Sequence, residues 1–192
     1  MSNVISRVPS VLCLFGLLAA LSPTSGHAQG GPTSAIDIPA SDIAAVVAVE
    51  SRIPDRQIRI VDMGSYNLAV GVIHRGATPM RDGPVGGIMH SLVTETYVVI
   101  SGTGTLVTGG TITNPGDLAP TSEVVRILNG PSQSGSTDGG RSRTVAVGDV
   151  IIIPAGVFHG FSYIPDHITY LSVRPDPNKV LEAGYVNPAV QR

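Results

Sequence analysis

A single cysteine, Cys13, stands in 192 residues, so no disulfide can form within the chain. Cys13 also falls in an N-terminal segment that is expected to be removed, which would leave the mature protein without a thiol. Stability must then come from the core alone, and cysteine is excluded as nucleophile or ligand. Charge is scarce as well. Charged residues make up 14% of the chain, the formal net charge is −2, and the twelve Lys and Arg are scattered. Such a chain has no electrostatic footprint for nucleic acid or an anionic membrane, so polyanion partners are excluded. Long apolar runs are missing too: the stretch Val11 to Leu21 falls well short of the roughly 20 residues that a spanning helix needs.

What that stretch does fit is an export signal. Arg7 supplies a positive n-region, Val11 to Leu21 the apolar segment, and Gly26-His27-Ala28 small residues at −3 and −1 of a cut. Cleavage after Ala28 is expected, placing the protein in the periplasm or outside the cell with no membrane attachment afterwards. The chain then divides into a signal peptide, 1–28; an N-terminal extension with a short helix, 29–56; a β-barrel, 57–174; and a C-terminal tail, 175–192.

Glycine and proline are plentiful, at 23 and 15 residues, and punctuate short runs rich in Val and Ile. Turn signals about every ten residues between such runs mark an all-β sandwich or barrel. Strands are expected at Gln57 to Met63, Tyr66 to Arg75, Gly87 to His90, Glu95 to Ser101, Gly104 to Thr108 and Glu123 to Leu128. Four more follow at Arg143 to Val147, Val150 to Pro154, Phe158 to Ile164 and Ile168 to Val173. Ten short strands suffice for a double-sheet jelly roll. One helix is expected within Pro39 to Glu50, capped by Ser41 and packed on the outside of the barrel. The stretch Gly130 to Gly140 has no apolar anchor and reads as a surface loop. The tail, with its prolines, is expected to wrap the surface or reach a neighbouring subunit. No internal repeat is present, and no exposed apolar patch is legible.

Two segments carry candidate chemistry. One is His90-Ser91-Leu92-Val93-Thr94-Glu95 with its run to Gly102; the other is Gly148 to His159. Alternation along a strand puts Glu95, Tyr97 and Val99 on one side, and His159 with Phe161 on one side of another. Glycine and proline punctuate both: Gly102 and Gly148 suit hairpin turns, while Pro154 and Gly156 bend the chain. Two imidazoles and a carboxylate converging inside a small barrel suit Zn, Mn, Fe, Ni or Cu and leave positions open for water or substrate.

These residues resemble the two motifs of the cupin superfamily, G-x5-H-x-H-x3-4-E-x6-G and G-x5-P-x-G-x2-H-x3-N, and the resemblance is to germin-like cupins around Thr94-Glu95 and Gly148-Asp149. In the second motif Gly148, Pro154, Gly156 and His159 match, with Tyr163 at the final Asn position. In the first, His90, Glu95 and Gly102 match, and Ile88 occupies the place of the leading histidine. The resemblance implies a double-stranded β-helix, the cupin barrel, with a divalent transition metal held by His90, Glu95 and His159. His74 is a possible additional ligand if its ring points inward; a lone strand histidine is otherwise a partly buried residue with one hydrogen bond. Tyr97, Phe161, Tyr170 and Arg174 are candidates to line a substrate pocket, although Arg174, like Arg75 and Arg81, also reads as a solvated charge. The bland alternative for the group itself is a buried Glu95–His159 hydrogen-bonded pair without metal. Against it, a buried carboxylate beside two imidazoles calls for a cation to neutralise it.

Cupin resemblance implies oxygenases, decarboxylases, isomerases and epimerases alike. No general base is legible, since acidic residues outside the motifs fall in apparent loops. The functional expectation is therefore an exported metal-dependent cupin acting on a small organic molecule; the alternative is a non-catalytic module for a small ligand or a metal. A homodimer is the expected assembly.

Overall fold

A computed structural model describes residues 30–80 and 82–190. The signal segment with Cys13 and His27, and also Arg81, lie outside the described residues. Nine strands follow one short helix, α1 (Ala40–Ala48): β1 (Asp55–Asp62), β2 (Asn67–Thr78), β3 (Val85–His90), β4 (Glu95–Thr108), β5 (Thr111–Asp117), β6 (Ser132–Asp138), β7 (Arg141–Ala146), β8 (Val150–Ile153) and β9 (His159–Asp176). All pairings are antiparallel. The strands run β1-β2-β9-β3-β6-β5, and β4 joins β9 to β7 and β8.

Two long strands make the roll. β9 pairs with β2 from Ile164 to Asp176, with β4 from His159 to Val173, and with β3 at His159. Expected as two segments, each of β4 and β9 is one strand that bends: the β4–β9 register shifts between Val99 and Ser101 and again between Gly102 and Thr105. Gly102 is therefore not in a hairpin turn. It lies at this bulge with φ 72°, where an added Cβ would stand 2.0 Å from the His167 carbonyl oxygen. Gly148, with φ 91°, does serve the turn between β7 and β8.

Inward positions alternate along these strands. Ile73, Tyr97, Val99, Leu106, Ile168 and Tyr170 form the core inside the roll. Outside it, α1 lays Val46 against Ile58, Val72 and Val190, so helix and tail together cover the outer face of β1 and β2. Ser41 does not cap this helix: Pro39 holds the capping position, with no side-chain hydrogen bond. The tail returns to its own barrel, with Tyr185, Gly184 and Asn187 bonding the backbone of β1.

Three segments depart from the sequence reading, one of them strand β5, Thr111–Asp117, where no strand was expected. Where a strand was expected from Glu123 to Leu128, Val124–Asn129 forms a π-helical turn, and the Ser122 carbonyl before it accepts from the backbone of Val125 and Arg126. Ser132–Asp138, expected as loop, is strand β6, held between β3 and β5 by backbone hydrogen bonds rather than apolar side chains. Contrary to expectation, apolar side chains are also exposed together. Val150 and Ile152 project from the outward side of β8, with Val147 beside them in the preceding turn.

Candidate metal centre

The ends of three strands build the site. His90 closes β3, Glu95 opens β4 and His159 opens β9, and all three residues are buried. Glu95 Oε2 lies 3.2 Å from His90 Nε2 and 3.0 Å from His159 Nε2. Among the described residues this is the group of His, Cys, Asp or Glu side chains whose donor atoms converge closely enough to hold a metal ion.

The outer ring nitrogens decide what the inner ones are. His159 Nδ1 faces the Val157 carbonyl at 3.1 Å, and a carbonyl only accepts, so this nitrogen carries hydrogen. His90 Nδ1 lies 2.8 Å from Ser132 Oγ, whose single proton goes to the Gly130 carbonyl 2.8 Å away. The Ser132 oxygen therefore accepts from His90 Nδ1. In their neutral forms both rings point bare Nε2 lone pairs at a carboxylate oxygen. His90 Nε2 has no hydrogen-bond partner although it is buried. Burial also pushes the His90 pKa down and keeps this ring neutral. Three lone-pair donors facing one another repel until a cation, either a proton on a ring or a metal ion, stands among them. Two ligands about 2.1 Å from a metal and at right angles to each other lie about 3.0 Å apart, so the observed separations fit a shared ion.

Glu95 is held from behind. Its Oε1 accepts from Ser172 Oγ at 2.8 Å and from Arg174 Nε at 2.9 Å, and its Oε2 accepts from the Tyr97 hydroxyl at 3.0 Å. Burial opposes ionisation of Glu95, but the Arg174 guanidinium together with the contacts to the His159 and His90 rings outweighs it and holds the carboxyl well below the usual range. Arg174 is not a solvated strand-end charge. It is fully buried, and it also donates to Gln57 Oε1 and Asp55 Oδ2. The chain thus supplies a cation for Glu95 itself, so burial of the carboxylate does not by itself require a metal. The donor geometry and the orphaned nitrogen carry that inference instead.

A double-sheet roll closed by two long bent strands, with two histidines and an acid at three strand ends inside it, is decisive. The fold is a cupin-type double-stranded β-helix. No family model and no curated protein sequence matches this chain. Among solved structures it is similar to EutQ of Clostridium difficile, with 16% identity over 65% of this chain and 68% of that one and a TM-score of 0.38. The protein BH2720 from Bacillus halodurans is 15% identical over 82% and 92% of the two chains, with a TM-score of 0.45. A double-stranded β-helix protein from Klebsiella pneumoniae is 17% identical over 72% and 89%, with a TM-score of 0.39.

The group opens into a cavity of about 550 Å³, which Tyr97, Phe161 and Tyr170 line. Arg174 does not line it, because Glu95 takes up its guanidinium. His74 does not join the group either: its Nδ1 meets Thr169 Oγ1 at 2.8 Å and its ring lies 5.9 Å from that of His167. Asp55, Ser132 and Ser172 were missed as site residues. Asp55 opens β1 rather than lying in a loop; it lines the cavity, and burial raises its pKa against the pull of Arg174. A signal for Ser172 does exist in the alternation Tyr170, Ser172, Arg174, Asp176, which puts successive polar side chains on the inward face of β9.

Proposed function

We propose that this protein is an exported, metal-dependent cupin enzyme acting on a small organic molecule. The observation that carries the reading is the meeting of His90 Nε2, Glu95 Oε2 and His159 Nε2 at the wall of a cavity large enough for such a molecule. His90, Glu95 and His159 would hold a divalent ion of Fe, Mn, Zn, Ni or Cu, which would supply Lewis acidity or oxygen activation. Ser132 and the Val157 carbonyl fix the ring tautomers, and Arg174 with Ser172 fixes the carboxylate, so all three donors are oriented before anything binds. Tyr97 keeps its proton, since burial and the neighbouring Glu95 charge raise its pKa well above the usual value, and it serves as a donor. Asp55 is the carboxyl group on the cavity wall outside the ligand set that is available to accept or give a proton.

A second reading, a non-catalytic small-ligand or metal-binding module, draws support from Arg174, which stabilises Glu95 whether or not metal is bound. Elemental analysis of protein from its own compartment, beside His90→Ala and His159→Ala, separates the two when joined to oxygen uptake and product assays on small acids and phenols. Bound metal in the parent, its loss in folded variants, and substrate turnover are expected. Full metal content in both variants would refute the ligand assignment, and bound metal without turnover would favour the module. The proposal extends to export, with a mature N-terminus after Ala28, and to a homodimer; N-terminal sequencing and sedimentation of the secreted protein test these two points.

A further inference from the structure

Arg75 is the one Lys or Arg among the described residues lining the cavity, and no carboxylate within ion-pairing distance answers it. Its Nε reaches the Tyr170 hydroxyl at 3.4 Å, and its guanidinium lies 5.7 Å from the Phe161 ring centroid. Stacking of this kind fixes the plane of the fork and leaves the terminal N–H groups for a ligand. Arg174 differs in kind, because Glu95, Gln57 and Asp55 take up its donors. A half-buried guanidinium without an anion carries a desolvation cost that a planar, bidentate acceptor removes.

Arg75 and the metal centre stand at two ends of one aromatic wall. From Arg75 the wall runs through Tyr170 to Tyr97, whose ring centroid is 4.3 Å from that of Tyr170 and whose hydroxyl bonds Glu95. Ile73, Leu106 and Phe161 complete an apolar surround. Charge points the same way: Glu95 and Asp55 against Arg174 leave one negative charge, and a divalent ion with Arg75 leaves the filled cavity net positive. We propose that Arg75 is the anion-binding end of this cavity and that the substrate is a small organic carboxylate with an apolar body, its carboxylate on Arg75 and its far end at the His90–Glu95–His159 group. The assignment of the far end rests on the metal-dependent reading above; the carboxylate subsite does not.

Calorimetric titration with benzoate and hexanoate, against benzamide and hexanamide, tests it. The titrations use metal-loaded full-length mature protein, the same protein after chelation, and Arg75→Gln and Arg75→Met, each checked for an unchanged thermal transition. The acids are expected to bind at least tenfold tighter than the amides, with that preference retained after chelation and abolished in either Arg75 variant. Amides that bind as well as the acids, or no acid binding, overturn the subsite. A preference that vanishes on chelation but survives in both variants places the carboxylate on the metal and also overturns it. A preference that survives in protein found never to carry metal upholds the subsite while refuting the metal reading. If one variant unfolds, the other and the acid–amide comparison on the parent still decide.

Discussion

Arg174 is the side chain on which the interior depends most. It joins Glu95 on one side to Asp55 on the other, and nothing else in contact with that pair carries a full positive charge. Replacing it by methionine keeps most of the volume but leaves two buried carboxylates uncompensated. A loss of about 3–5 kcal/mol is expected, read as a shift in the urea midpoint; a loss below about 1 kcal/mol would show that the carboxylates find protons or water instead. Space for this guanidinium comes from Gly71, where a Cβ would stand 2.8 Å from Arg174 Nη1. Ser132 carries a different prediction. Its hydroxyl sets the His90 tautomer, so Ser132→Ala frees the ring to flip or retautomerise, and metal affinity is expected to drop about 10–100-fold in competition with a fluorescent chelator. Unchanged affinity would mean that the ring is positioned by packing alone. The donors His90, Glu95 and His159 were legible because their spacing is fixed by strand ends. Asp55 and Ser132 were not, because they reach the site through pairings between strands distant in sequence, which no local spacing reveals.

Among the elements, β6 and the π-helical turn show where sequence reading stops. Ser132-Gln133-Ser134-Gly135-Ser136-Thr137-Asp138 has no apolar residue, and alternation is the usual signal for a strand. It becomes one because β3 and β5 flank it on both sides, and because Gly135 admits Ile112, which a Cβ would approach to 2.8 Å. Val124–Asn129 is the reverse case, since a short apolar run fits a buried strand or a buried turn equally well by periodicity. Its Ile127 packs toward the cluster of Ile60, Ala69 and Leu181, and Arg126 pairs with Glu182 of the tail. The tail itself hangs on Asp176, whose carboxylate accepts from the backbone of Val180 at 3.0 Å and Leu181 at 2.9 Å, and from Asn67 Nδ2 at 3.3 Å. Asp176→Ala removes all three acceptor contacts. Loss of hydrogen-exchange protection along residues 177–190 is expected, with a global cost of about 1–3 kcal/mol. Tail protection equal to that of the parent would mean that Leu181 and Val190 hold the segment by burial alone.

The whole molecule should be acid-sensitive, in steps set by the same buried groups. His90 is lowered from 6.5 by burial, so below that pH the unfolded chain binds a proton that the fold refuses, and stability falls as pH drops through 6.5 toward the folded value. Glu95 follows. Its folded pKa lies well below 4.5, so the stability it contributes is present above 4.5 and lost as pH falls further. Asp55 acts in the opposite sense. Its pKa is raised from 3.8, so its contribution is present in acid and lost as pH rises through the folded value. Asp55→Asn removes that opposing slope and should steepen the acid loss, whereas His90→Gln should flatten the step below 6.5. Urea midpoints of chelated protein between pH 8 and pH 4 check both, with chelation removing the competition between proton and metal at His90. A parent whose midpoint rises as pH falls from 7 to 5, with Asp55→Asn behaving the same, would mean that His90 holds its proton in the fold. Its Nε2 would then be a hydrogen-bond donor to Glu95 rather than a bare ligand.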